Sequence, residues 1–288
     1  MKNILKLITL MTTSLFAQSK GDIAFIGYNA DGDDDFAIVA LSDIPAGTTI
    51  YFTDSEPNVS GTGMIDDSEG VLTWVVGESI LTAGTVVTFT DTDNDTNPAF
   101  GASNGTITRS NAGFLLTASE GDNIFATLGN PASDEVTVWL AGFEYRNTGQ
   151  GTNFSQTGLT VGVNYLVIND TASKDGGQYT GVRTGKTISE YRDLINNEEN
   201  WDTETEDGES VLPFNSTNFE LVSLFNSINT IPGLKLSVEN KKITTNIGSI
   251  INVCDVLGKQ VVNQDLPQGI YLVTVKQEEK MEVYKVAI

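Results

Sequence analysis

Two short runs of this sequence carry side chains whose type and spacing could do chemistry. Asp31-Gly32-Asp33-Asp34-Asp35 and Asp91-Thr92-Asp93-Asn94-Asp95 each place carboxylates at alternate positions. Hard oxygen ligands spaced this way on a loop suit Ca²⁺, which takes about six to eight oxygens. Asp91, Asp93 and Asp95, and with them Asp31, Asp33 and Asp35, are therefore candidate calcium ligands. Neither run is an EF-hand: counting from Asp91, Thr96 stands where that loop needs glycine and Ala102 where it needs glutamate. The competing reading of both runs is a solvated acidic turn, because Asp and Asn favour turns and surfaces.

The rest of the chemistry is narrowed by what is missing. The 288 residues include no histidine and one cysteine, Cys254. That excludes a Ser-His-Asp relay, an imidazole metal ligand, an intrachain disulfide and a thiolate cage. No serine sits in a Gly-x-Ser-x-Gly pattern. With 38 acidic against 16 basic residues, and a net charge of −22, the acidity argues against nucleic-acid binding, which needs clustered Lys and Arg. Two function classes stay open. One is a non-catalytic binding or adhesion module, with polysaccharide as a ligand class. The other is a secreted hydrolase working through carboxylates or a bound metal. Tyr145 and Tyr179, in Gly/Asn-rich surroundings, are the candidates for stacking on a sugar ring. Trp74 and Trp139 alternate with apolar neighbours and read as core. Asp170-Thr171-Ala172 matches a short O-glycosylation pattern, with an ordinary turn as the alternative.

The elements that must position these residues read as all-β. Residues 1–17 have a basic start, an apolar stretch and a small residue, Ala17, and are expected to be a secretory signal peptide. From 18 to 222 short runs rich in Val, Ile, Phe, Tyr and Thr recur between Gly, Asp and Asn clusters. Strands are expected at 23–28, 36–41, 49–53, 71–76, 85–90, 113–117, 123–128, 136–143 and 163–168. Their spacing suggests a large β-sandwich-like domain. One short helix is expected after the capping box Thr187-Ile188-Ser189-Glu190. Residues 223–233 are rich in breakers and read as a linker. Beyond them the charge balance changes: Gln18 to Leu234 holds 32 acids and seven bases, whereas Lys235 to Ile288 holds six acids and seven lysines. Residues 234–288 read as a small Ig-like sandwich. A turn at Gly258-Lys259 there separates two strands, a second turn at Leu266-Pro267-Gln268-Gly269 precedes a third, and Met281 onward forms the last.

Two resemblances follow. Gly21-Asp22-Ile23-Ala24-Phe25-Ile26-Gly27-Tyr28-Asn29-Ala30-Asp31-Gly32, Asp43-Ile44-Pro45-Ala46-Gly47-Thr48-Thr49-Ile50-Tyr51-Phe52-Thr53-Asp54, and Leu194-Ile195-Asn196-Asn197 with Asn200-Trp201 resemble an extracellular β-domain of secreted Bacteroidetes and cyanobacterial proteins, which has no settled activity. The tail resembles the type A C-terminal sorting domain of type IX secretion cargo. Its matching residues are Val253, Asp255, Val256, Leu257, Gly258, Lys259, Leu266, Pro267, Gly269 and Tyr271, and Cys254 departs from the family's usual aromatic residue. The resemblance implies a secreted or outer-surface protein, with the type IX translocon and its tail-processing machinery as partners. It also implies release, or attachment to surface polysaccharide.

Overall fold

A computed structural model describes residues 18–110, 113–118, 121–145, 150–168, 174–204, 207–222, 231, 234–255, 258–278 and 280–288. The expected signal peptide, the Asp170-Thr171-Ala172 motif, Val256, Leu257 and the expected linker apart from Ile231 lie outside them. The chain divides into two compact units, Met1–Leu221 and Val222–Ile288.

The first unit is a sandwich of two six-stranded sheets. Numbering strands along the chain, one sheet runs Trp201–Glu204 (β13), Gly176–Tyr179 (β11), Ile23–Asn29 (β1), Asp35–Ala40 (β2), Val86–Thr90 (β5) and Gly101–Ala102 (β6). The other runs Tyr165–Ile168 (β10), Val138–Tyr145 (β9), Asn123–Leu128 (β8), Thr49–Thr53 (β3), Val71–Val75 (β4) and Thr106–Arg109 (β7). All neighbours are antiparallel except β9 and β10. Thr184–Lys186 (β12) and Glu220–Leu221 (β14) form a separate parallel pair.

Alternating side chains from the two sheets meet in a core of rings. Phe36 stacks on Phe89 at 4.5 Å between centroids and stands edge-on to Phe52 at 4.9 Å. Trp74 closes the cluster edge-on to Phe89 at 5.3 Å. Each such pair adds about 0.5–1.5 kcal/mol beyond its buried area. All seven residues of β1 are buried, because its outer face is covered as well. A Cβ on Gly27 would come within 2.7 Å of the Phe214 ring, so that covering layer fits only over glycine. The helix Ile188–Ile195 (α1) begins in the expected capping box: Thr187 Oγ1 accepts from the Glu190 amide, and the Glu190 carboxylate accepts from the Thr187 amide at 2.8 Å. Tyr191 and Ile195 carry its apolar face into the core.

The expected strand at 113–117 does not form. The amides of Leu115, Leu116 and Thr117 donate to side-chain carboxylates rather than to a neighbouring strand.

The second unit pairs a hairpin, Leu236–Glu239 (β15) with Lys242–Thr245 (β16), and a three-stranded antiparallel sheet. That sheet is Ser249–Asp255 (β17), Ile270–Gln277 (β18) and Lys280–Ala287 (β19). The expected strand after Gly258 reduces to a bridge between Cys254 and Gln260. The motif residues shape turns and fill the core. Gly258 has φ 79°, and the Asp255 carboxylate accepts from the Lys259 amide at 3.0 Å, closing that turn. Val253, Leu266 and Tyr271 are buried together, and the Tyr271 hydroxyl donates to the Pro267 carbonyl at 2.9 Å. Gly269 exchanges both backbone hydrogen bonds with Ile288.

Candidate functional site

One end of the first unit gathers its carboxylates. Antiparallel pairing puts the close of β1, the start of β2 and the close of β5 at the same end, so the loops holding Asp31–Asp35 and Asp91–Asp95 lie side by side. They are stitched together. The Asp34 amide donates to Asp93 Oδ1 at 3.2 Å, and the Asp91 amide to Asp35 Oδ1 at 3.2 Å. The amide and hydroxyl of Thr92 both donate to the Asp34 carbonyl, at 2.8 and 3.0 Å. Asn29 braces the hairpin by donating to the Asp33 carbonyl and to Asp35 Oδ2.

The alternate-position expectation is thereby rearranged. Contacts run between loops, joining Asp35 to Asp91 and Asp93 to Asp34, rather than along Asp91, Asp93 and Asp95. Asp95 is exposed, and Asn94 closes the turn beside it by accepting from Thr96. Asp31 is half-buried, its amide donating to Asn29 Oδ1. Asp91 sits with φ 49°, buried, and its Oδ2 has no hydrogen-bond donor. Burial first, and then the charge of Asp33, raise its carboxyl above the ordinary range. Burial pushes Asp35 up to about 6.

Three aspartates, Asp34 again among them, hold the segment from Phe114 to Thr117 by successive amides. Asp54 accepts from Leu115 at 2.8 Å, Asp34 from Leu116 at 2.6 Å and Asp122 from Thr117 at 3.1 Å. The same segment offers its carbonyls to Arg109, at Phe114, and to the Tyr145 hydroxyl, at Thr117. Desolvation dominates these carboxyls, raising Asp34 to about 8 and Asp122 to about 7, with Asp54 well above its usual value. Glu69, half-buried nearby, is raised to about 7 by burial and by the charges of Asp122 and Glu56. Backbone hydrogen bonds act the other way on all three aspartates without overcoming burial. Sequence reasoning passed over Asp54, Glu69 and Asp122. Their signal is positional: each is an acid within two residues of an apolar strand end.

Among the described residues, no three acidic or cysteine side chains converge closely enough to cage a metal ion by themselves. Tyr145 and Tyr179 are corrected. Both are 1% exposed. Tyr145 closes β9 facing inward, stacked on Tyr28 at 4.9 Å, and Tyr179 packs on Phe219 and donates to the Val182 carbonyl. Polar loops flank them, but the strands turn their rings into the core, so neither offers a face to a sugar. Trp74 and Trp139 are core as expected. A groove of about 300 Å³ opens at the opposite end of the sandwich, between Gly47, Val75 and Gly105, with Glu78 as its one carboxylate.

No family model matches the chain, and no curated protein matches it. Among solved structures, HBP35 of Porphyromonas gingivalis is similar at 13% identity and a TM-score of 0.22. The alignment covers 92% of this chain and 63% of that one, so this chain spans less than two thirds of its length. A likeness that shallow carries no argument about function. No described helix is long and apolar enough to cross a membrane.

Proposed function

We propose that the chain is an exported, non-catalytic binding module, carried by a type IX sorting tail and holding calcium between its two acidic loops. One observation supports the non-catalytic reading above others: the buried aspartates at the acidic end are engaged as acceptors for backbone amides. General acid–base work needs a carboxyl facing substrate across a cleft, and the groove at the other end supplies one glutamate. The calcium reading rests on Asp91, whose buried and donorless oxygen faces the charge of Asp33. Carbonyl oxygens of the same loops and water would complete the shell. Surface polysaccharide stays as the partner class through the tail resemblance, and the buried tyrosines lend it no support.

A carboxylate hydrolase is the second reading, favoured by carboxyls raised to about 7 and about 8, since catalytic acids are often tuned that way. A glycan array run beside turnover assays on chromogenic esters, phosphates and glycosides separates the two. We expect glycan retention without turnover. Turnover abolished by Asp122→Asn would establish the hydrolase instead. Calcium at millimolar concentration is expected to raise the melting temperature of the full chain, by mass action on the folded state. Identical melts in chelator and in calcium would remove the metal.

A further inference from the structure

Three adjacent strands in the second sheet of the first unit turn a strip of hydroxyls away from the core. In the β3–β4 and β4–β7 registers, Tyr51 stands opposite Thr73 and Thr73 opposite Thr108, while Thr49 stands opposite Val75 and Val75 opposite Thr106. Paired residues share a face, and alternation sends their neighbours Ile50, Trp74 and Ile107 into the core. The strip is half-buried on β3 and β4 and exposed at Thr106 and Thr108. The hydroxyls of Thr49, Tyr51, Thr73, Thr106 and Thr108 make no hydrogen bond to any described residue. None of the six residues is charged, although Gln18 to Leu234 carries 32 acids.

A cavity adjoins the strip. The groove of about 300 Å³ shares Val75 and Thr106 with it and adds Val76, Glu78 and three glycines, Gly47, Gly77 and Gly105. Its walls are tied together. The Gly47 amide donates to the Val76 carbonyl at 3.0 Å, the Gly77 amide to Asn104 Oδ1 at 3.3 Å, and Trp74 Nε1 to the Asn104 carbonyl at 2.7 Å. Gly105 has φ 74°, and an added Cβ would lie 2.1 Å from the Val75 carbonyl oxygen, so this wall admits only glycine. The lining is therefore valine and bare backbone, with the exposed Glu78 carboxylate and the Thr106 hydroxyl as its polar side-chain groups.

The geometry points to a glycan-binding face, on which a neutral polysaccharide seats one sugar in the groove and runs across the strip over the Tyr51 ring. This assignment rests on the reading of the chain as a binding module and gives that module its ligand surface. A sugar ring presents a C–H face and a belt of hydroxyls. Val75, Val76 and the glycine backbone meet the first. Glu78 accepts from the hydroxyls in charge-assisted bonds, and the threonine hydroxyls both donate and accept. Tyr51 adds an apolar ring with a polar tip. The groove stands at the lower end of small-ligand sites, about 300–1,000 Å³, which suits one ring rather than a whole chain. Residues two apart on a strand are separated by about 6.6 Å and neighbouring strands by about 4.8 Å, so one oligosaccharide reaches from the groove to Tyr51. Charge selects among polymers: an anionic chain meets the field of the surrounding acids and finds no lysine or arginine on the strip or in the groove.

Affinity electrophoresis of the full chain through gels holding a cellulose-type glucan, a mannan, a xylan or polygalacturonate tests the assignment. The variants are Tyr51→Ala, Glu78→Gln and the double variant Thr73→Val with Thr108→Val, each checked for folding by its melting curve. The wild type should be retarded by at least one neutral polymer and not by polygalacturonate. Tyr51→Ala and Glu78→Gln should each weaken that binding tenfold or more, and the double variant severalfold. Valine keeps the β-branched shape that strands favour, so the double variant and Glu78→Gln carry the test if Tyr51→Ala does not fold. Neutral-polymer binding that both of them leave intact overturns this face and leaves the binding module standing. Retention by polygalacturonate alone does the same. Absence of retention by every neutral polymer overturns the face, and a blank glycan array besides overturns the module with it.

Discussion

Asp34 shows how one side chain can be costly as a charge and useful as an acceptor. It is 1% exposed, and its Oδ2 takes the Leu116 amide at 2.6 Å. Asp34→Asn keeps an acceptor and removes the charge, so we expect its stability at pH 8 to equal or exceed the wild type. Asp34→Ala strands the Leu116 amide in the interior and should cost about 1–3 kcal/mol. Urea unfolding of both variants checks the contrast, and equal losses would mean that the hydrogen bond contributes nothing. Gly258 is the counterpart in the tail. Its φ of 79° excludes most side chains, yet nothing lies within 4 Å of an added Cβ. Gly258→Ala should therefore lose about 1 kcal/mol through the backbone alone, visible as an earlier transition of the second unit. Neither aspartate burial nor donorless oxygens can be read from sequence. Asp31–Asp35 were legible as an acidic run, but the partners Asp91 and Asp93 lie more than fifty residues away.

At the scale of elements, legibility followed side-chain alternation. The strands 49–53 and 123–128 form with the expected bounds because their β-branched and aromatic residues fit a half-buried pleat. Gly176–Tyr179 was missed because two glycines open it. Packing explains them: a Cβ on Gly177 would stand 2.9 Å from the Tyr28 ring. Residues 113–117 erred the other way, since alternation could not reveal that buried carboxylates take their amides. Those carboxylates set a pH dependence. Asp34, Asp122 and Glu69 are raised to about 8, 7 and 7 in the folded chain, against about 4 when unfolded. The unfolded state ionises first as pH rises, so the stability these groups contribute is complete below about pH 4 and is lost through about pH 7–8. In chelator, the melting temperature of the first unit should fall between pH 5.5 and 8.5. A chelated protein with a flat profile would contradict the burial argument.

At the scale of the molecule, the two units divide the work by charge and by construction. The first unit encloses a continuous aromatic core with its own helix and covering loops. The second has a smaller core of its own, built around Val253, Leu266, Tyr271, Val273 and Val275. Each therefore has what an independently folding domain needs. The described tail motif residues form turns and core contacts, so a translocon that reads this tail would read the folded shape they build. Two variants then separate folding from export. A chain truncated after Leu234 should keep the first unit's melting transition and collect in the periplasm of a type IX-equipped host. Gly258→Ala should leave the first unit unchanged and lower the exported fraction, because it disturbs the turn while preserving every charge. Fractionation into periplasm, surface and medium reads both. If the truncated chain still reaches the surface or medium at the wild-type level, the sorting role of the second unit fails, and its fold would have to serve the mature protein instead.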